Sequence, residues 1–396
     1  MFTGYYAWTP TKYIVGNGAL SRVTFEVNDH DRLVIVGGKY LRENQSIANK
    51  IDRIFANFSV VYVYLDCGEP SLDSVKILKN KLMDECVVGA GSMSFIAIGG
   101  GGLIDNVKAS LFSIASGVEP EVLWMMPEER LKNLEVPRPN LICLPTRPGS
   151  GSDFNNATVV SGKAGLKKHW INRSIYPSVS AVDPSLLLDR KALLCALEEG
   201  LLDNLSHIVE QLQLNSGPMT FANQIAKACL EANIRLWLTI HSGEVTDQII
   251  QDAFCLCGYT SSGLLNRGVR TYWTIHRYAD LLSKAWDIPH VLAISLAFEA
   301  ALIKDLEARE LCAETQIFES VLDSVGMKGC MISHIRLRCI RVIQLSLSDG
   351  WLSRNVHSIL GSCPLVCAIP SEGELPLTND TKIADALLSE AIEIIG

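Results

Sequence analysis

One aspartate and three histidines in the second half of the chain have the residue types of a metal site. Asp203 and His207 are four positions apart, so in a helix over 201–213 they project from one face. With His276 and His290 they offer one carboxylate and three imidazoles, a full ligand set for a divalent metal. Spacing alone also fits bland alternatives, because buried histidines are usually hydrogen-bonded structural residues and Asp-x-x-x-His pairs occur as surface ion pairs.

Two loops in the first half have the composition of phosphate-binding segments. The four consecutive glycines at 99–102 follow the apolar run Ser94–Ile98 and precede a helix. Backbone N–H groups without side chains can approach a pyrophosphate, and a helix N-terminus adds favourable potential. The run matches neither G-x-G-x-x-G nor Walker A, so a tight turn without a ligand is an equal alternative. The loop Pro145–Asp153 is rich in small and hydroxyl residues, which suit either phosphate and ribose or a surface turn.

Short apolar runs alternate with helical stretches through the first half. This alternation predicts an α/β, Rossmann-like domain with a parallel sheet buried on both faces. The predicted strands are Tyr13–Val15, Arg32–Val36, Val60–Leu65, Ser94–Ile98 and Leu141–Leu144.

From Leu186 onward helical periodicity dominates, which predicts an all-helical second domain. The Asp183-Pro184 pair disfavours helix before it, so we predict domains over 1–184 and 185–396, with a ligand cleft between them. The predicted helices include Lys191–Leu201, Asp203–Gln213, Met219–Ser242, Glu244–Gly263, Val269–Trp286, Val291–Ala308 and Ile317–Val325.

Composition narrows the class of protein. A chain of 396 residues can form two domains with separate cores. The net charge of −8, with scattered basic residues, argues against a general nucleic-acid binder. The 12 irregularly spaced cysteines favour buried thiols in a reducing cytoplasm over a disulfide framework. Neither a signal-peptide pattern over Met1–Thr11 nor a span-length apolar window is seen, so we expect a cytoplasmic protein without a membrane partner.

Taken together and in order, these motifs resemble the iron-containing (type III) alcohol dehydrogenase family over nearly the whole chain. The opening turn, the glycine run with Asp105 and Lys108, the Pro145 loop and the Pro177–Pro184 segment look like family motifs. The four metal-site residues fall where the family has its ligands. The Gly37-Gly38 pair and the segment 202–211 look like the branch of NADPH-dependent butanol dehydrogenases and broad aldehyde reductases.

The resemblance implies a dehydroquinate synthase-like architecture and hydride transfer between a nicotinamide and an alcohol or aldehyde carbon. It implies that Asp203, His207, His276 and His290 bind Fe2+ or Zn2+, with His276 in the catalytic centre, and that the chain forms a homo-oligomer such as a dimer. The predicted cofactor-binding residues are Gly37, Gly38, Lys39, Gly99, Gly100, Gly101, Gly102, Asp105, Thr146, Arg147, Ser150 and Lys168.

The end of the second predicted strand bears on the choice of cofactor. An acid there would hydrogen-bond a ribose 2′-hydroxyl and repel a 2′-phosphate. This chain has Gly37-Gly38-Lys39 instead, with Arg42 close behind, which favours NADP(H) over NAD(H). The alternative is that Lys39 and Arg42 are ordinary exposed charges.

Several positions depart from the family pattern. Gly102 replaces the usual Ser, Arg147 stands where Thr is common, and Val291 replaces a Gly. Asp280 takes the place of a frequent His near the nicotinamide. It is predicted to be a catalytic residue that relays a proton or holds a cofactor hydroxyl, with a solvated helix residue as the equal alternative.

Arginines near the predicted site raise the question of an anionic substrate. Guanidinium groups at Arg147, Arg270 and Arg277 suit a carboxylate or phosphonate, unless they point to solvent. The competing functions are a sugar-acid or polyol dehydrogenase working oxidatively, a metal-free relative similar to maleylacetate reductases, and a non-catalytic binding protein. Retention of all four ligand types argues against the metal-free relative.

Overall fold

The computed structural model describes residues 9–27, 32–66, 68–87, 93–162, 166–187, 190–212, 221–265, 273–286, 288–309, 312–327 and 331–348. The chain forms two compact units. One comprises the described residues within Ala7–Leu193 and Val245–Gly263, and the other those within Leu194–Glu244 and from Leu264 onward. The single domain boundary near 184 stays a prediction.

A parallel sheet forms the centre of the first unit. Its six strands lie in the order β1-β8-β5-β4-β2-β3, and every recorded pairing is parallel. All five predicted strands are present, and the predicted fold class is confirmed. The strands of the chain are β1 (Lys12–Val15), β2 (Arg32–Gly37), β3 (Ser59–Tyr64), β4 (Met93–Gly99), β5 (Leu141–Pro145), β6 (Ala157–Ser161), β7 (Lys167–Ile171) and β8 (Val179–Val182).

Helices cover both faces of this sheet because successive side chains of a strand point to opposite sides. In β2, Leu33 and Ile35 enter one core, whereas Val34 and Val36 enter the other. The helices of this unit are α1 (Ala19–Arg22), α2 (Lys39–Glu43), α3 (Gln45–Ile54), α4 (Leu72–Val87), α5 (Gly101–Ser116), α6 (Pro120–Met125), α7 (Glu128–Asn133) and α10 (Asp247–Ser261). α3 packs into the first core, and α4 and α5 into the second.

Three strands were not predicted from the sequence. β8 is a short buried strand of four residues between turn signals, and β6 and β7 form an antiparallel hairpin outside the sheet. β7 reads Lys-Lys-His-Trp-Ile, whose polar start hid its strand character. Trp170 is its one buried residue, and its ring centroid lies 6.4 Å from that of Phe112 on α5.

Helices are the only secondary-structure elements among the described residues of the second unit, as predicted. Its helices are α8 (Arg190–Leu212), α9 (Phe221–His241), α11 (Thr274–Trp286), α12 (His290–Arg309), α13 (Cys312–Ser324) and α14 (Met331–Ser348). The two helices predicted before and after residue 202 form one continuous helix, α8. Most side chains around residue 202 are buried. Within the described residues, no helix combines the length and hydropathy that crossing a membrane requires.

Candidate metal centre

The first side chains of the candidate centre come from one face of α8. Asp203, His207 and Glu210 are spaced i, i+4 and i+7, so they stack along that face. Asp203 and Glu210 are almost fully buried, with 7% and 1% of their surface exposed. Carboxylates that far from water need a charged or hydrogen-bonded partner.

Two further helices bring imidazoles to Asp203. His276 lies in the first turn of α11, and His290 is the first residue of α12. The distance from His276 Nε2 to Asp203 Oδ1 is 3.7 Å. One ligand-type atom from each of Asp203, His276 and His290 lies within 4.8 Å of the others. The structure therefore brings three of the four predicted ligands together.

His207 lies at the edge of this group. Its Nε2 is 3.8 Å from Asp203 Oδ1. Its ring stacks on that of His276, with centroids 4.6 Å apart and planes 6° from parallel. Trp273 meets both rings edge-on, at 5.8 and 5.4 Å. The stack fixes the two imidazoles relative to each other, and whether His207 is a ligand stays a prediction.

The buried polar atoms at the centre fit a divalent metal. Asp203 Oδ1 and His276 Nε2 are buried, and neither has a hydrogen-bond partner among the described residues. A buried polar atom without a hydrogen-bond partner lowers the stability of the fold by about 1–3 kcal/mol. Such atoms therefore indicate a place where a bound group, such as a metal ion, supplies the missing interaction. Carboxylate oxygen and imidazole nitrogen are ligands for both Zn2+ and Fe2+.

Burial and neighbouring charges set the protonation of the centre. Burial lowers the pKa of His207 to about 4, although the Asp203 charge opposes it. Burial also disfavours the Asp203 carboxylate, but the imidazoles, His207 first, outweigh it and hold the pKa of Asp203 below its usual range. At His276 burial is outweighed by Glu210 and Asp203, which raise its pKa to about 10. Because metal ligands must be deprotonated, a metal at His276 displaces a proton.

Glu210 is the member of the centre that sequence reasoning missed. One of its carboxylate oxygens, Oε2, contacts His276 Nδ1, and the other accepts hydrogen bonds from the backbone N–H of Ile275 at 2.6 Å and of His276 at 3.2 Å. The signal was present, because Glu210 follows His207 by three positions on the ligand face of α8.

The predicted catalytic residue Asp280 lies one turn after His276 on α11. Its Oδ1 is 3.8 Å from His290 Nδ1, so the structure brings it to the edge of the centre. Arg277 is exposed, and Arg270 lies outside the described residues. The catalytic role of Asp280 stays a prediction.

The glycine run lies in the other unit, between β4 and α5. Thr146 donates its backbone N–H to Gly99 O at 3.0 Å, which ties the Pro145 loop to the run. A Cβ on Gly101 would lie 2.2 Å from Ser150 Oγ, and one on Gly100 would lie 3.7 Å from Arg147 Cδ. The structure thus brings most of the predicted phosphate-binding residues together at the N-terminus of α5.

Two predicted cofactor-binding residues, Asp105 and Lys168, contact the protein's own backbone. Asp105 is buried, and its Oδ2 accepts a hydrogen bond from the backbone N–H of Val159 at 3.1 Å. Lys168 donates to Trp124 O at 2.5 Å and to Met126 O. These contacts hold α5 and the hairpin in place, and binding of cofactor by either residue stays a prediction.

The end of β2 presents cations to solvent. Gly37 ends the strand, Gly38 precedes α2, and Lys39 is the first residue of that helix. Lys39 Nζ lies 4.0 Å from the Glu43 carboxylate, and Arg42 forms an ion pair with Asp66. Exposed pairs of this kind contribute about 0–1 kcal/mol, so a phosphate can compete for either cation.

Gly102 has a structural reason for departing from the usual Ser. A Cβ there would lie 2.7 Å from Gly68 O, a backbone atom. We therefore expect Gly102→Ser to lower the free energy of unfolding by about 1–3 kcal/mol, because the Gly68 backbone must move. Urea unfolding measures this. Gly100→Ser is the matched control, since its Cβ meets only a flexible Arg147 carbon at 3.7 Å, and equal losses in both variants would contradict the explanation.

The sequence is similar to known alcohol dehydrogenases. The family model described as "Iron-containing alcohol dehydrogenase" matches residues 10–184. A "Probable NADH-dependent butanol dehydrogenase 1" of Bacillus subtilis is 22% identical over 311 residues, which cover 74% of this chain and 73% of that protein. An alcohol dehydrogenase of Thermococcus barophilus is 26% identical over 44% of this chain and 46% of its own.

Solved structures share the fold along almost the whole chain. NADH-dependent butanol dehydrogenase A of Thermotoga maritima has a TM-score of 0.74 at 16% identity, covering 98% of both chains. The aldehyde reductase YqhD of E. coli has a TM-score of 0.70 at 16% identity, covering 99% of this chain and 100% of its own.

Proposed function

Because this chain belongs to the iron-containing alcohol dehydrogenase family, we propose that it is a metal-dependent oxidoreductase linked to NAD(P). The reaction is hydride transfer between the nicotinamide and an alcohol or aldehyde carbon. The observation that carries the proposal is the pair of buried atoms Asp203 Oδ1 and His276 Nε2, which have no hydrogen-bond partner among the described residues and converge with His290. A structural polar cluster would have satisfied those atoms internally.

In this function, Asp203, His207, His276 and His290 hold Fe2+ or Zn2+. The ion supplies Lewis-acid polarisation of the substrate oxygen, a contribution of several kcal/mol. Asp203 provides the negative charge of the ligand set, and burial on α8 keeps water away from it. Asp280, close to His290, holds or accepts the proton that accompanies the reaction.

The dinucleotide is bound by the unit with the parallel sheet. Backbone N–H groups of the glycine run at the N-terminus of α5 receive the pyrophosphate, where the helix dipole favours negative charge. Ser150 and Thr146 border the run and supply hydroxyl groups. Arg147, beside Gly100, adds a guanidinium to the same place.

We expect aldehyde-dependent oxidation of NADPH to be faster than that of NADH, with kcat/KM at least about tenfold higher, which corresponds to about 1.4 kcal/mol. The reason is that no acid follows Gly37-Gly38, and that Lys39 and Arg42 are exposed in pairs weak enough for a 2′-phosphate to displace. The measurement is the fall in absorbance of each cofactor with a panel of aldehydes. A preference for NADH would contradict this cofactor assignment without affecting the metal site.

The same panel tests the substrate class and the function itself. Arg277 is exposed beside His276, which favours an aldehyde carrying a carboxylate or phosphonate. The panel also contains short neutral aldehydes. Sugar acids and polyols are assayed in the oxidative direction with NADP. No turnover with any of them by protein loaded with Fe2+ or Zn2+, together with no cofactor binding, would point to a non-catalytic relative.

A further inference from the structure

We propose that Glu210 is a positioning residue, which holds the ring of His276 in the orientation and tautomer that metal binding requires. The inference rests on the proposed metal site and assigns a function to a residue outside the ligand set. It concerns how the site is built before any metal arrives.

Both oxygens of Glu210 are engaged by the first turn of α11. Oε2 lies against His276 Nδ1. Oε1 accepts from the backbone N–H groups of Ile275 at 2.6 Å and His276 at 3.2 Å. One buried carboxylate therefore fixes both the backbone and the side chain of His276. Since Glu210 stands on α8 seven positions after Asp203, the same helix supplies a ligand and the group that aims another ligand.

This contact decides which ring nitrogen is available. A carboxylate accepts hydrogen bonds, so Nδ1 of His276 keeps its proton and donates it to Oε2. Nε2 then faces Asp203 Oδ1, 3.7 Å away, and is the nitrogen that binds a metal once the metal displaces its proton. Turning the ring over would break the Glu210 contact and would place the Cε1 carbon, which cannot bind a metal, where Nε2 now faces Asp203 Oδ1.

The other neighbours of His276 do not perform this task. His207 stacks flat on the ring at 4.6 Å, and Trp273 meets it edge-on at 5.4 Å. These contacts limit tilting of the ring but treat its two nitrogens alike. Glu210 is therefore the group that engages Nδ1, while Asp203 Oδ1 lies 3.7 Å from Nε2.

A rival explanation is that Glu210 merely stabilises the N-terminus of α11. A cap accepts backbone N–H groups and contributes about 0.5–2 kcal/mol to stability. It would not change the affinity of a correctly folded protein for a metal. The two explanations therefore differ in metal affinity rather than in stability.

The test compares Glu210→Gln with Glu198→Gln in purified, metal-stripped full-length protein. Glu198 is a suitable match because it is a buried glutamate on the same helix that accepts a hydrogen bond from Arg341 at 3.0 Å, and its histidine neighbour, His241 at 3.9 Å, is not one of the proposed ligands. Affinity for Co2+ is measured by titration against a competing chelator, and folding by circular dichroism and Tm. We expect Glu210→Gln to weaken Co2+ binding about 10–100-fold and to alter the Co2+ absorption spectrum, as loss of a partner behind a metal-binding His does. Glu198→Gln should retain wild-type affinity and spectrum.

The outcomes separate this inference from the proposed function. If the wild type binds Co2+ and folded Glu210→Gln binds it equally well, Glu210 is only a helix cap and the positioning role is overturned. If the wild type binds no Co2+, Fe2+ or Zn2+, the metal site itself fails. Should Glu210→Gln not fold, Glu210→Asp is measured in its place. Its shorter side chain withdraws the carboxylate from Nδ1, so wild-type affinity there would also overturn the role.

Discussion

Replacing His276 with alanine is expected to remove bound metal and turnover together. His276 Nε2 is a buried atom that lacks a hydrogen-bond partner among the described residues, and it faces Asp203 Oδ1 at 3.7 Å. Without it the centre loses one of its proposed imidazole ligands. Lewis-acid catalysis contributes several kcal/mol and each 1.36 kcal/mol is tenfold in rate, so kcat/KM should fall by about 10³-fold or more.

The measurement is metal content by elemental analysis, alongside turnover with the best aldehyde. His241→Ala is the matched control, because His241 is a half-exposed histidine on α9 in the same unit, stacked on Trp237. Tm and circular dichroism show whether the Glu210 carboxylate, left without its imidazole, unfolds the protein. A metal-free His276→Ala variant with full activity would contradict the metal assignment. Retained metal with lost turnover would leave His276 a catalytic role but remove it from the ligands.

Replacing Gly151 with alanine is expected to destabilise the unit that contains the sheet, whatever the protein does. Gly151 has φ of +58°, and a Cβ there would lie 2.4 Å from Ser261 Cβ and 3.0 Å from Cys257 O on α10. The left-handed backbone costs an alanine about 1 kcal/mol, and overpacking typically costs 1–3 kcal/mol more. The free energy of unfolding should therefore fall by about 2–4 kcal/mol, as measured by urea denaturation.

Gly117 supplies the control for this prediction. It ends α5 with φ of +66°, but a Cβ there would meet nothing within 4 Å. Gly117→Ala should therefore lose only the backbone contribution of about 1 kcal/mol. If the free energy of unfolding falls equally in both variants, the close packing of Gly151 against α10 does not contribute to stability and the structural explanation is wrong.

The sequence predicted the architecture well because its signals are local. Apolar runs such as Arg32–Val36 and Leu141–Leu144 are strands since a strand buried on both faces needs continuous apolar side chains. β7 was missed for the complementary reason, because only Trp170 in it is buried. Val245–Gly263 belongs to the sheet-containing unit although its periodicity is that of the helical half. Periodicity reports which face of a helix is buried but not what it is buried against.

The same distinction applies to the candidate centre. The sequence by itself determined the chemical types of the site, since Asp203 and His207 share a helix face through spacing alone. Only the tertiary structure decided that His276 and His290 converge on Asp203, and that Glu210 stands behind His276. Those contacts join α8 to α11 and α12, which are far apart in the chain. Their distances depend on how three helices pack, and no local pattern of residues specifies that packing.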